Sequence, residues 1–137
     1  MQAMFESRGL PYVVHPEIVS NTQLALRLGE LARDRERYGP YHRAVMEALW
    51  SQGVDVSPPE TLRELAIGAG LDAAEVDDAI ATGAYADRVE QSTRQAVAIG
   101  ANAVPAFLLD RRLLILGAQP EAVLEQALAQ IGFDPVA

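Results

Sequence analysis

The chain has 137 residues, the length of one ordinary domain, and half of them are apolar, which argues against global disorder. Its 11 Lys and Arg face 19 Asp and Glu, and the formal net charge of -8 disfavours nucleic acid and anionic membrane surfaces as partners. No apolar run approaches the roughly 20 residues of a membrane span, and the first residues lack the apolar core of a signal peptide. The expected location is therefore the cytoplasm.

Cysteine is absent, which removes disulfides, thiol nucleophiles and thiolate metal sites from the chain. His15 and His42 have no second histidine or carboxylate at ligand spacing, so the sequence predicts structural or solvent-exposed roles for both. Ser51, Ser57 and Ser92 lack the G-x-S-x-G context of a hydrolase nucleophile. We expect no metal, no cofactor and no catalytic residue.

The first half of the chain reads mainly as short helices. Leu10–Val14 is predicted to be a short extended segment, and Ser20 with Gln23 has the spacing of a capping box for the helix that follows. Pro40 is predicted to open the next helix, which runs to Gln52. The apolar stripe of the earlier helix consists of Leu24, Leu28, Leu31 and Ala32.

The middle of the chain continues this helical pattern. Glu60–Ala69 is predicted to be a short helix, and Asp72 is predicted to cap another. Ala84–Ile99 has helical spacing with Val89, Ala96 and Val97 facing inward. Glu75, Asp77 and Asp78 are interpreted as acidic residues at the start of a helix, where they favour the helix dipole, and not as a metal site. Tyr38, Tyr41 and Trp50 are predicted to pack between helices.

Strand chemistry appears in one segment near the C-terminus. Val104-Pro105 precedes an apolar run, Ala106–Leu109, which is followed by a turn at Asp110 and a second apolar run, Leu113–Leu116. The segment predicts a β-hairpin that leads into a helix over Pro120–Ile131. The stripe of that helix, expected to face the core, is Val123, Leu124, Ala127, Leu128 and Ile131. The fold class is therefore mostly α with a small antiparallel β-hairpin (α+β), in a single domain.

The order of these elements resembles the DsbA-like thioredoxin-fold proteins, in particular the cytoplasmic FrnE-type oxidoreductases. The specific points of likeness are Val104-Pro105 before a strand and Gly117–Pro120 at the entrance to the last helix. Asn21, Thr22 and Ala25 match a weaker helix-start pattern, N-(S/T)-x-x-A. Kappa-class glutathione transferases and hydroxychromene carboxylate isomerases share this layout.

The resemblance implies that family chemistry resides in a CxxC or a serine on an N-terminal β-α-β unit, which nothing in this sequence matches. The chain then corresponds to a truncated DsbA-like thioredoxin fold: a helical insertion region over 1–100 and the C-terminal β-β-α portion over 101–137. It also implies that Val104 and Pro105 match the substrate-facing cis-proline loop. The alternative is that Pro105 simply marks a strand entrance, as prolines commonly do.

The truncation has a physical consequence for the hairpin. In the family, the strand that begins at Ala106 pairs with a strand of the N-terminal unit, and a two-stranded hairpin alone is marginal in water. We expect a homodimer in which hairpins pair so that Phe107, Leu109, Leu114 and Leu116 share a core. The Tyr12–Val14 segment as a third strand is the alternative.

Three functional interpretations follow from the resemblance. The first is a DsbA-family protein without catalytic cysteines, inactive alone, that acts as a dimerising module or binds a protein or peptide. The second is one piece of a thiol-disulfide oxidoreductase or glutathione-dependent isomerase whose active-site unit is on another chain. The third is a truncated remnant with no selected role.

Overall fold

The computed structural model describes residues 2–13 and 19–133. Within these ranges, helices dominate and one antiparallel two-stranded sheet is present, which confirms the predicted fold class. The helices are α1 (Gln2–Glu6), α2 (Gln23–Asp34), α3 (Tyr38–Trp50), α4 (Pro59–Gly68), α5 (Ala73–Thr82), α6 (Ala86–Ala98) and α7 (Glu121–Gln130). The strands are β1 (Ala106–Leu109) and β2 (Leu113–Leu116).

The predicted extended segment near the N-terminus is described in part. Val14 and His15 lie outside the described residues. Residues 11–13 have no regular secondary structure, and the Val13 N–H donates to the carbonyl of Trp50 at 2.9 Å. Tyr12 and Val13 therefore supply no third strand, and the sheet within the described part of the chain consists of β1 and β2.

Contacts divide the chain into two compact units, Met1–Val89 and Glu90–Ala137. The family resemblance instead places a boundary between residues 100 and 101, where the helical insertion meets the C-terminal β-β-α portion. That boundary stays a prediction.

The first unit has a continuous apolar core built by α2, α3, α4 and α5. Leu28, Leu62, Val56 and Val76 are its largest fully buried side chains. Each comes from a different segment, and the predicted stripe of α2 lies inside the core. Because apolar burial is the dominant favourable contribution to folding, this core is the main source of stability in the first unit.

Helix starts in this unit differ in how well the sequence predicts them. The Asp72 carboxylate accepts from the amides of Ala74 and Glu75 at 2.9 and 3.1 Å, which confirms the predicted cap of α5. The predicted capping box at Ser20 is wrong. α2 begins after Thr22, which makes no side-chain cap hydrogen bond, and the Ser20 hydroxyl donates instead to Asp55 at 2.8 Å.

The start of α3 is also earlier than predicted. The helix begins at Tyr38, so that Pro40 is its third residue and not its first. This position is tolerated because the first N–H groups of a helix have no partner within the helix, and proline lacks only that group.

The second unit contains much less buried apolar surface. Among its described residues, the buried apolar side chains are Ile115 and Ala127. The prediction that Val97, Val123 and Leu128 face a core is wrong, since all three are exposed. α6 begins at Ala86, two residues after the predicted start, because Tyr85 has a positive φ of 67° that a helix does not admit.

None of the helices in the described ranges has the length and apolar character that a membrane crossing requires.

Candidate functional site

The hairpin is closed by a tight turn of left-handed backbone. Asp110 and Arg111 have φ values of 47° and 53°, and the Arg112 N–H donates to the Leu109 carbonyl at 2.9 Å. Positive φ at both central residues matches the right-handed twist of the flanking strands. The charged residues of the hairpin are at this turn, so both strands are free of charge along their length.

The strand register shows which backbone groups of β1 face away from β2. Phe107 lies opposite Ile115 and Leu109 opposite Leu113. At the entrance to the strand, the Gly117 N–H donates to the Pro105 carbonyl at 2.8 Å. Residues opposite each other in an antiparallel pair alternate between hydrogen-bonded and non-hydrogen-bonded pairs. The backbone hydrogen-bonding groups of Pro105, Phe107 and Leu109 therefore point towards β2.

The same alternation directs the N–H and C=O groups of Ala106 and Leu108 away from β2. Within the described residues β1 pairs with β2 and with no other strand, so this outer edge has no ladder partner there. Phe107 is 40% exposed and Leu108 43% exposed, whereas Ile115 on β2 is buried. The outer edge of β1 is therefore both apolar and open.

The two residues predicted as a substrate-facing loop lie at the entrance to this edge. The Val104-Pro105 peptide bond is cis, and Val104 is 93% exposed. Pro105 is held against β2 through its carbonyl, as described above. The structure thus brings Val104, Pro105 and the open edge of β1 together, and the binding role of the two residues stays a prediction.

Other residue types that carry chemistry have structural partners. No group of His, Cys, Asp or Glu in the described ranges is arranged to hold a metal ion. Glu75 pairs with Arg35, and Asp77 with Arg63 at 2.5 Å. The arginine hydrogen bond in each pair holds the pKa of that carboxyl below its usual value.

Ser57 has a structural part in the loop before α4. Its hydroxyl accepts from the Asn21 N–H at 2.7 Å, and its own N–H donates to Asp55 at 2.9 Å. Hydrogen bonds from Ser57, and then from Ser20, lower the pKa of Asp55. This network joins the start of α2 to the loop before α4, and it contains no histidine that would activate a hydroxyl.

Tyr38 and Tyr41 pack between helices as predicted, and they also border a cavity that sequence analysis missed. The same prediction is wrong for Trp50, which is 39% exposed and stacks on Tyr12 with ring centroids 6.0 Å apart. Tyr41 is buried and its hydroxyl donates to the Ala25 carbonyl at 3.1 Å. Burial raises the pKa of this phenol well above its ordinary value. The available signal was Gly29, a glycine inside a strongly amphipathic helix, which leaves space beside the rings of Tyr38 and Tyr41.

In a comparison with known families, residues 1–129 match the model of the DSBA-like thioredoxin domain. The chain belongs to this family. No curated protein matches the sequence.

Among solved structures, this chain is similar to a probable DsbA oxidoreductase from Streptomyces coelicolor. The two share 37% sequence identity and superpose with a TM-score of 0.85. The match covers 98% of this chain and 59% of the other protein. The chain thus spans less than two thirds of the length of that structural relative.

Proposed function

We propose that this chain is a DsbA-family module that binds polypeptide along the outer edge of β1, and that two copies pair there as a homodimer. The observation that supports the proposal is the open, apolar edge formed by Ala106, Phe107 and Leu108. Unpaired strand edges accept a further strand through main-chain hydrogen bonds, and flanking apolar side chains add buried surface.

The chain by itself has no group for the chemistry of its relatives. Thiol-disulfide exchange proceeds by attack of a thiolate on a disulfide sulfur, and these 137 residues contain no cysteine. Any such exchange requires a thiolate from a different segment of polypeptide. The proposed contribution of this chain is therefore binding through β1, with Val104 and Pro105 bordering the bound strand.

A two-fold axis fixes the register of the proposed dimer. In this register, Ala106 of each copy exchanges backbone hydrogen bonds with Leu108 of the other copy. All the outward-facing N–H and C=O groups of the two residues then have partners. Phe107 then lies opposite its own copy as a non-hydrogen-bonded pair, the closer of the two pair types. Two cysteines at that position are within the Cα separation that a disulfide requires.

The absence of cysteine makes this register directly testable, because an introduced cysteine is the sole thiol in the chain. We expect Phe107→Cys to form a disulfide-linked dimer on mild oxidation, read by non-reducing electrophoresis. Val123→Cys is the matched control, since Val123 is 41% exposed against 40% for Phe107 but lies on α7. Equal cross-linking of the two variants would contradict the proposed register.

A second variant tests the backbone edge without adding a thiol. Leu108→Pro removes an N–H that faces outward and leaves the bonds to β2 in place, and edge strands tolerate proline. We expect sedimentation velocity to show a dimer for the unchanged chain and a monomer for Leu108→Pro. A compact monomer of the unchanged chain at micromolar concentration would overturn the homodimer.

A second candidate function is favoured by the extent of the structural match. The chain corresponds to 59% of a probable oxidoreductase, which leaves a part of that protein without a counterpart here. In this alternative, the β1 edge accepts a cysteine-bearing strand-helix-strand unit and the two together exchange disulfides. Insulin reduction should be blank for the chain alone and restored on mixing with such a unit, whereas a binding module gives no restoration.

Finer placement within the family is part of the same proposal. A FrnE-type protein is supported by the long run of short helices before Val104-Pro105, and the layout is shared with kappa-class glutathione transferases. A cytoplasmic location is a prediction from composition, and cell fractionation with an antibody against the chain checks it.

A further inference from the structure

A cavity of about 140 Å³ lies between α2 and α3 in the first unit. Its lining is mainly apolar and aromatic, with a few polar groups, which is the usual composition of a small-molecule site. The apolar and aromatic lining residues are Ala25, Leu26, Gly29, Tyr38, Tyr41, Val45, Met46 and Leu49, and the polar ones are Thr22, Glu30, Arg33 and His42.

One wall of the cavity is a column of stacked planar groups. The Arg33 guanidinium lies 3.7 Å from the centre of the Tyr38 ring, and the Tyr38 and His42 rings stack with centroids 5.4 Å apart. Each group in the column restricts the next, so this wall is pre-formed. Tyr41 adds a second aromatic surface, fixed by its bond to the backbone of α2.

The charges beside the cavity neutralise each other. Arg33 pairs with Glu30 at 3.2 Å, and Glu30 also lies 3.4 Å from Arg88. Neither the carboxylate nor the guanidinium is left uncompensated for an ionic ligand. The arrangement favours a neutral guest, because a charged group would lose hydration in an apolar cavity without gaining a counter-ion.

The size of the cavity selects a single ring. Apolar cavities of about 150 Å³ bind benzene, so this volume suits one six-membered ring and excludes fused ring systems. Leu26, which is 51% exposed, and Met46 are the most exposed apolar lining residues and border the opening. The Met46 thioether is polarisable and makes favourable contacts with aromatic rings.

We propose that this cavity is a binding site for a neutral aromatic ring, with a phenol as the best-matched ligand class. The polar lining residues outside the Glu30–Arg33 ion pair are Thr22, whose hydroxyl makes no cap hydrogen bond to α2, and His42, and these two are the candidates to bond a phenolic hydroxyl. The ring itself packs against Tyr38, Tyr41 and Met46. The site is independent of the proposed strand pairing at β1.

The ring has two chemical sources, a free small molecule or a tyrosine side chain of a polypeptide. The two probes are p-cresol and a short peptide with one tyrosine flanked by glycines. Binding is followed by chemical-shift changes of backbone amides, in particular that of Gly29, and we expect dissociation constants of about millimolar for so small a ligand. Binding of p-cresol alone indicates a free ligand, and binding of the peptide indicates a polypeptide source.

Gly29→Ala occupies the cavity without disrupting the helix. The added Cβ would lie 3.6 Å from Cε2 of Tyr38 and 3.8 Å from Cε1 of Tyr41, which is ordinary van der Waals contact. Alanine also favours a helix over glycine, so the variant should be folded and more heat-stable. Affinity for the ring should fall about tenfold or more, since one methyl group in an apolar pocket has an effect of that size.

Gly68→Ala is the matched control, because Gly68 is in α4, lies outside this cavity, and has nothing within 4 Å of an added Cβ. We expect it to bind the probes as the unchanged chain does. Leu26→Gln, at the opening, should weaken binding severalfold with little change in stability. Absence of binding by both probes, or equal binding by Gly29→Ala and Gly68→Ala, overturns the proposal.

Discussion

The two units of the chain differ in how completely they bury their apolar side chains. Of the 16 buried apolar residues among those described, 14 lie in Met1–Val89 and two, Ile115 and Ala127, in Glu90–Ala137. The second unit nevertheless contains both strands of the described residues, which are wholly apolar, and β1 is mostly exposed. β1 therefore has the apolar composition of a core strand, but no element among the described residues buries it.

This contrast separates what stabilises the chain from what the chain is proposed to bind. The apolar core of the first unit is formed by that unit's own side chains, and apolar burial is the dominant favourable contribution to folding. In the proposed function, a strand added at β1 would bury apolar surface that the second unit leaves exposed. The first unit is thus the scaffold, and the second carries the surface on which the proposed function depends.

The largest test of this contrast compares one leucine from each unit. Leu62→Ala removes a fully buried side chain and should lower the free energy of unfolding by about 2–5 kcal/mol. Leu108→Ala removes a side chain that is 43% exposed and should cost about 1 kcal/mol or less. Urea unfolding followed by circular dichroism at low protein concentration measures both, and similar losses would contradict the distinction between the units.

A smaller effect is expected from two arginines. Arg27 donates to the carbonyls of Ala79 at 2.5 Å and Ala84 at 2.9 Å, so Arg27→Leu leaves two partly buried carbonyls without this donor. The expected loss is about 1–3 kcal/mol. Arg94 pairs with Glu90 on the surface of α6, and Arg94→Leu should cost about 0.5 kcal/mol or less. Equal losses in urea unfolding would show that Arg27 does not join α2 to the end of α5.

The smallest expected effect is a loss of stability at low pH. Hydrogen bonds from Ser57 and Ser20 lower the pKa of Asp55 in the folded chain, so the stabilisation is present above the unfolded pKa and is lost as the pH falls through the folded one. The urea midpoint should drop as the pH decreases below about 4. Asp55→Asn should have a lower midpoint at pH 6 and a weaker pH dependence, and an unchanged pH profile would contradict this role.

The sequence was a good guide wherever local chemistry decides the structure. The hairpin could be predicted from two apolar runs separated by a turn, and the start of α5 from the carboxylate of Asp72. In both cases the deciding interaction is between residues close in sequence. At Ser20 the same kind of local reasoning failed, because the hydroxyl found a partner in Asp55, 35 residues away.

Burial was harder to predict than secondary structure. Val97 on α6, and Val123 and Leu128 on α7, belong to apolar patterns with helical spacing, and all three do lie in helices. Helical spacing contains no information on whether another element covers the apolar face. The cavity beside Gly29 was missed for a related reason, since its walls are two different helices whose approach the sequence does not state.

The charge-free edge of β1 has a consequence for handling the protein in concentrated solution. Natural sheets commonly protect an edge with lysine, proline or a bulge, whereas the charges of this hairpin, Asp110, Arg111 and Arg112, are confined to its tip. A closed two-fold pair consumes the edge, but a chain left single presents an unpaired apolar edge to which a strand of another protein can add. Substitutions that prevent the two-fold pairing and leave the outward N–H of Leu108 in place should therefore make the protein more prone to aggregate.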